Sequence, residues 1–186
     1  MQGFSKTFIQ QCTKGSRTAQ RQLFEQLYAP MLRVCLRYVG NNEDAEDCTM
    51  KGFVKAFQHL HTFNYDGEDS LPKWLRRIMV NECLMQLRKK KNLVLYTDEP
   101  AIDVALPPEV LLKIDAEDLN NMVMNLPAGY RTVFNLFAVD GYSHKEIATI
   151  LQITENTSKS QFSKAKARLK VLIEQNNPDV YGQLGK

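Results

Sequence analysis

Ser143 followed three residues later by Glu146 fixes a helix start, because the two side chains can satisfy each other's open backbone amide donors. Ile147, Ala148 and Leu151 give that helix one apolar face, and it is too short to stand alone in water. Gln152-Ile153-Thr154 breaks the period. Thr154 can cap a second helix, whose Phe162, Ala165, Leu169 and Leu172 recur at steps of three and four. The stretch Gly141–Lys170 therefore predicts two helices around a tight turn, the plan of a helix-turn-helix.

The second helix carries Lys159, Ser160, Gln161, Ser163, Lys164, Lys166, Arg168 and Lys170 against one acid, Glu155. Lys and Arg neutralise phosphates, and short hydroxyl and amide side chains sit against base edges without blocking approach. An ordinary solvated face would also be polar. The coincidence of cap, turn spacing and one-sided charge points to DNA contact.

The 186 residues suit one or two domains with cores of their own. The net charge of +3 is mild, so distribution matters more than total. No apolar run approaches the roughly 20 residues a bilayer span needs, so no membrane insertion is expected. The opening MQGFSKTFIQQCTKG lacks the apolar core of a secretion signal. Cys12, Cys35, Cys48 and Cys83 are widely spaced without a CxxC pair, which predicts buried free thiols in a reducing cytoplasm.

In chain order, Phe4 to Gln11 reads as a short helix and Thr18 to Val39 as a longer one, with Leu23, Leu27, Met31, Val34 and Tyr38 on one face. Pro30 predicts a kink or a break in it. After the Gly40-Asn41-Asn42 turn, a helix from Glu43 to Leu60 opens on Glu43, Asp44, Glu46 and Asp47, well placed against its dipole. A polar loop from Thr62 to Ser70 precedes a fourth helix, Leu71 to about Lys91. No stretch alternates like a strand, so the class is all-α.

Trp74, Arg77, Asn81 and Arg88 share one side of that fourth helix, while Leu71, Leu75, Ile78 and Met79 point toward a core. An aromatic, two guanidiniums and an amide in line can stack on bases, grip phosphates and read a base edge. Phe63, Asn64 and Tyr65 precede it on the loop, where unstacked bases could be received. The same residues also fit a core tryptophan followed by cations that complement the helix end, and spacing does not choose between the two.

Residues 92–118 read as an acidic linker, rich in Asp and Glu and interrupted by Pro100, Pro107 and Pro108. Helix resumes from Leu119 to Met124, and Pro127 can start the next, Tyr130 to Asp140, with Val133, Phe134 and Phe137 inward. The end of the chain, from Gln175, is expected to fray. His59 and His61 read as surface histidines, since no Cys or third His completes a metal set. Met79, Met85, Met122 and Met124 read as core filler. No nucleophilic triad, carboxylate pair or phosphate loop has credible spacing, so neither catalysis nor a metal or other cofactor is expected.

LPAGYRTVFNLFAVDGYSHKEIATILQITENTSKSQFSKAKARL resembles the C-terminal promoter-binding domain of extracytoplasmic-function sigma factors, whose wording is close to LPxxYRxVFxLxxxxGxSxxEIAxxLxIxxxTVKSxxxRAxxxL. NNEDAEDCTMKGFVKAF and SLPKWLRRIMVNECLMQLRKK resemble the N-terminal domain of that family, in the same order. The resemblance implies two small helical domains, 1–91 and 119–175, joined by the linker 92–118 and followed by a tail, 176–186. It implies a dissociable subunit of bacterial RNA polymerase. The first domain would dock on the β′ clamp helices and melt the −10 element; the second would bind the β flap and read the −35 element. By position, Lys159, Ser160, Ser163 and Lys164 would face −35 DNA, with Arg168 toward phosphate. Phe63, Asn64, Trp74, Arg77, Asn81 and Arg88 would serve the −10 element, and Asp44, Asp47, Lys51, Phe53 and Lys55 the polymerase. An anti-sigma factor, membrane-bound or soluble, is a further partner the resemblance leaves open.

Some positions depart from the family wording. Met50-Lys51 stands where Gln and an acid are usual, which puts the strength of polymerase docking in question. Ser158 replaces a usual Val; an orphaned buried hydroxyl would cost about 1–3 kcal/mol, so a bond to a backbone carbonyl is expected. Gln152 stands where Gly is common, which implies a turn without positive φ. Two other readings remain at this point: a stand-alone helix-turn-helix regulator, and a sigma-like interaction protein that has lost polymerase binding.

Overall fold

The computed structural model describes residues 4–90 and 114–176. The chain divides into two compact units, residues 1–89 and 90–186. Among the described residues there are eight α-helices and no strand, so the all-α expectation holds.

The first unit opens with α1 (Lys6–Thr13), two residues later than the periodicity implied, because Ser5 is the residue whose side chain accepts the amide of Phe8. Helix α2 (Arg17–Val39) runs unbroken through Pro30. The missing amide orphans only the carbonyl of Gln26, an exposed residue, while Leu27, Met31 and Val34 stay buried on the other side. Gly40 ends α2 at φ +82°, the left-handed conformation that a C-terminal cap requires. Helix α3 (Asn42–His59) is capped by Asn41, whose side chain accepts from the amide of Asp44. A single 3₁₀ turn, Leu60–Thr62, leads to the loop before α4 (Ser70–Lys89).

Helices α2, α3 and α4 enclose the core. Leu27 and Tyr38 of α2, Phe53 of α3, and Leu71, Leu75 and Met79 of α4 are almost wholly buried. Each such side chain contributes about 1.5–3 kcal/mol of apolar transfer. All four cysteines are free and buried, as expected. Cys83 stands at the meeting point of the three helices with its Sγ 3.9 Å from the carbonyl of Cys35. Hydrogen bonds with Cys35 and Cys48 push its thiol pKa up, and burial pushes that of Cys12 to about 11. Neither is a reactive thiolate at neutral pH.

The second unit begins earlier than the acidic composition implied. Helix α5 spans Ala116–Met124, with Asp115 capping it and Glu117 and Asp118 in its first turn, so these acids belong to a helix start rather than a linker. Ile114 is already part of the core. The rest of the expected linker, and the expected tail 176–186 apart from its helical first residue Asn176, lie outside the described residues. Helix α6 (Ala128–Phe134) starts after Pro127 and continues as a π turn, Asn135–Val139, in which the amide of Asp140 reaches the carbonyl of Asn135 at 2.9 Å. Helices α7 (His144–Leu151) and α8 (Glu155–Asn176) follow. Met122, Val123, Leu126, Phe134, Ala165 and Leu169 fill the space between α5, α6 and α8.

Candidate nucleic-acid and polymerase interface

The helix-turn-helix forms as its cap and period require. The backbone amide of Ser143 donates to Glu146 Oε2 at 2.8 Å, and the amide of Glu146 returns a bond to Ser143 Oγ at 3.3 Å. Thr154 Oγ1 accepts the amide of Thr157 at 3.0 Å and caps α8. The turn corrects one expectation: Gln152 does adopt a left-handed conformation, φ 57° and ψ 46°, and its amide bonds the carbonyl of Ala148. The three-residue turn closes only if that residue reverses the chain, whatever its side chain.

Ser158 corrects another. It is fully buried, but its hydroxyl is 2.9 Å from His144 Nδ1 rather than on a backbone carbonyl. The π turn aims Phe137 at the same imidazole, which it stacks at 4.3 Å and 13°, and Phe162 meets the imidazole edge-on at 5.8 Å. Burial, and then the charge of Lys159, hold the His144 pKa below its ordinary value, with Glu155 opposing.

The polar side of α8 is only partly open. Lys159 and Arg168 are exposed, Lys159 within an ion pair to Glu155 at 2.7 Å. Ser160, Ser163 and Lys164, expected to face −35 DNA, are only 7, 8 and 7% exposed. Ser160 Oγ donates to the carbonyl of Thr157 at 3.0 Å, so its hydroxyl is buried without being orphaned.

In the first unit, the loop and α4 build a cleft of about 360 Å³. Phe63 and Trp74 form its aromatic wall, ring centroids 5.3 Å apart. Asn64, Arg77, Lys73, Asp66, Thr62 and Ser70 complete it. Trp74 is half-buried, so it is not a fully enclosed core residue. Asn81 and Arg88 are exposed further along α4. Lys73 and Asp66 went unremarked in the sequence, although Lys73 precedes Arg77 by one helical turn.

The residues expected at the polymerase divide. Phe53 is 2% exposed and packs edge-on against Phe24 at 4.8 Å, so it is core rather than surface. Asp44 is buried as well, accepting from Gln86 at 3.0 Å and from Asn41 at 2.8 Å. Asp47 and Lys51 pair on the outer face of α3, and Lys55 reaches Glu82 on α4. Met85, read as core filler, is instead 54% exposed, beside Lys55 Nζ at 4.0 Å. Met50 at 49% and Val54 at 54% are exposed apolar residues of α3.

His59 and His61 are both exposed. Among the described residues, no group of three or more His, Cys, Asp or Glu could hold a metal ion, and no helix is long and apolar enough to cross a membrane.

An aromatic and cationic cleft thus lies on one helical unit and a helix-turn-helix on the other. Comparison with known proteins carries this further. Residues 23–93 match the family described as Sigma-70 region 2, and residues 116–169 match Sigma-70, region 4. The sigma factor SigM of Mycobacterium tuberculosis is 30% identical over 167 residues, covering 89% of this chain and 83% of that protein. SigW of Bacillus subtilis is 27% identical over 184 residues, covering 91% and 97%. The solved sigma factor RpoE of Bartonella quintana, in complex with the anti-sigma factor NepR, superposes with a TM-score of 0.51 at 25% identity, covering 84% of this chain and 99% of that one. The chain belongs to the extracytoplasmic-function sigma factors, transcription initiation factors that bind RNA polymerase and direct promoter recognition.

Proposed function

We propose a division of labour between the two units. The N-terminal unit docks on the β′ clamp helices and captures and melts the −10 element, while the C-terminal unit binds the β flap and reads the −35 element. The observation that carries this is the Phe63–Trp74 cleft with Lys73 and Arg77 on it: an aromatic wall beside cations suits an unstacked base and its phosphate. Asn64 lines the same cleft, and Asn81 and Arg88 extend the track along α4. At the −35 element, Lys159 and Arg168 make the first phosphate contacts. Ser160, Ser163 and Lys164 are assigned to the same element.

Polymerase docking uses the outer face of α3 and α4. Its chemistry is apolar and basic, from Met50, Val54, Met85, Lys51 and Lys55, with Asp47 holding Lys51 in place. Asp44 and Phe53 support that face from beneath. The work is cytoplasmic, without catalysis by this chain. The anti-sigma complex named for the Bartonella protein supports an inhibitory partner here too.

Run-off transcription with purified core polymerase tests the scheme. Specific initiation that depends on this chain is the expected result. Promoter binding without initiation would leave only the DNA contacts, and failure to join core polymerase would remove the docking assignment.

A further inference from the structure

Among the described parts of the C-terminal unit, the contact between the half-buried His144 and the buried Ser158 joins the two helices of the helix-turn-helix. Ser158 lies in the first turns of α8 and is fully buried, so its hydroxyl cannot turn to water. The partner it has is His144 Nδ1 at 2.9 Å, on the first residue of α7. The imidazole has little freedom either: Phe137 lies flat against it and Phe162 closes one edge. The ring is therefore clamped between the π turn, α7 and α8, and Ser158 is clamped to the ring.

We propose that His144 is a positioning residue for the recognition helix: through Ser158 and Phe137 it fixes the first turns of α8, the segment that presents Lys159 to DNA. This rests on the reading of α8 as the −35 helix. Lys159 follows Ser158 directly, so a change in how Ser158 is held moves the adjacent cation relative to the phosphate it meets. A misplaced donor costs affinity without unfolding the unit.

The arrangement also has a protonation preference. In the tautomer that carries its proton on Nε2, a neutral imidazole accepts the Ser158 O–H at Nδ1. A protonated one must donate there, which reverses the bond and leaves the buried hydroxyl proton to find another acceptor. From α8, Lys159 and Glu155 face the ring with opposite effects; from α7 itself Lys145 adjoins it; from the π turn the Phe137 ring covers it. The folded-state pKa lies below the ordinary 6.5. Above 6.5 both folded and unfolded chains carry a neutral imidazole, and the latch is intact. As pH falls below 6.5 the unfolded or loosened form takes up the proton first, so the latch weakens toward the folded pKa.

The test uses the full chain with core polymerase and a duplex promoter fragment selected by that holoenzyme from random DNA. His144→Phe keeps the stack but orphans the Ser158 hydroxyl, and is expected to weaken binding by about tenfold, the equivalent of one lost hydrogen bond. The double variant His144→Phe/Ser158→Val removes both polar groups and is expected to return to within about threefold of the original, because the orphan is gone. His144→Asn, which can still meet the hydroxyl, should lie between them. Affinity of the original chain should decline from pH 7.5 to 5.5 more steeply than that of the double variant. Equal affinity of His144→Phe and the original chain, or parallel pH profiles of the original and the double variant, would overturn the proposal. If the original holoenzyme selects no promoter, the −35 reading fails and the proposal falls with it. Should His144→Phe not fold, the pH comparison between the original and the double variant decides alone.

Discussion

Lys55 Nζ lies 2.5 Å from Glu82 Oε1, tying the outer face of α3 to α4. The Glu82 side chain is 8% exposed, whereas Lys55 is 44% exposed, so the carboxylate bears most of the desolvation. Lys55→Ala is expected to destabilise the N-terminal unit by about 1–3 kcal/mol, because the carboxylate stays behind. Lys55→Ala/Glu82→Leu should recover most of that loss. Denaturant titration followed by the fluorescence of Trp74, the chain's one tryptophan, reads both.

Gly52 sets how closely α3 approaches α4. A Cβ there would overlap the Met79 Sδ and Cε, and Met79 is fully buried. Gly52→Ala should therefore cost about 1–3 kcal/mol of overpacking, outweighing the roughly 1 kcal/mol gained in helix propensity. In a Met79→Ala background the sign should reverse, since the overlap is removed and the propensity gain remains. The same fluorescence measurement tests it.

Gln152 occupies the left-handed region at φ 57°. Gln152→Gly is expected to stabilise the C-terminal unit by about 0.5–1 kcal/mol, the relief of Cβ strain less the added chain entropy. Gln152→Val should destabilise it. Amide hydrogen exchange across α7 and α8 reports the change.

Trp74→Ala should weaken binding of single-stranded −10 DNA by the holoenzyme by about 1–3 kcal/mol, one base stack. Binding of a −35 duplex by the same preparation should be unchanged. Equal losses on both fragments would mean that Trp74 acts through folding.

Met85→Glu tests the docking face. The side chain is 54% exposed, so folding should shift by less than about 0.5 kcal/mol. Association with core polymerase should weaken by at least tenfold, measured by native gel or light scattering. Unchanged association would take Met85 off the docking face.

Local rules were enough to read the helix-turn-helix and the all-α class. A capping box, a threonine cap and a three-and-four period act within a few residues, so Ser143, Glu146 and Thr154 behave as their spacing implies. Asp115, Glu117 and Asp118 misled because a helix start and an acidic linker have the same composition, and only a buried Ile114 distinguishes them. What the chain alone could not settle is which side of a helix its neighbours cover. Phe53 and Met85 are both apolar, yet one is core and the other surface, since burial depends on the placement of α2 and α4 rather than on the residue. Likewise the partner of Ser158 is 14 positions away in sequence and meets it only when α7 folds back on α8. Sequence determined the elements and the chemistry they carry; tertiary packing decided which of those groups are presented, because exposure is a property of the assembled surface.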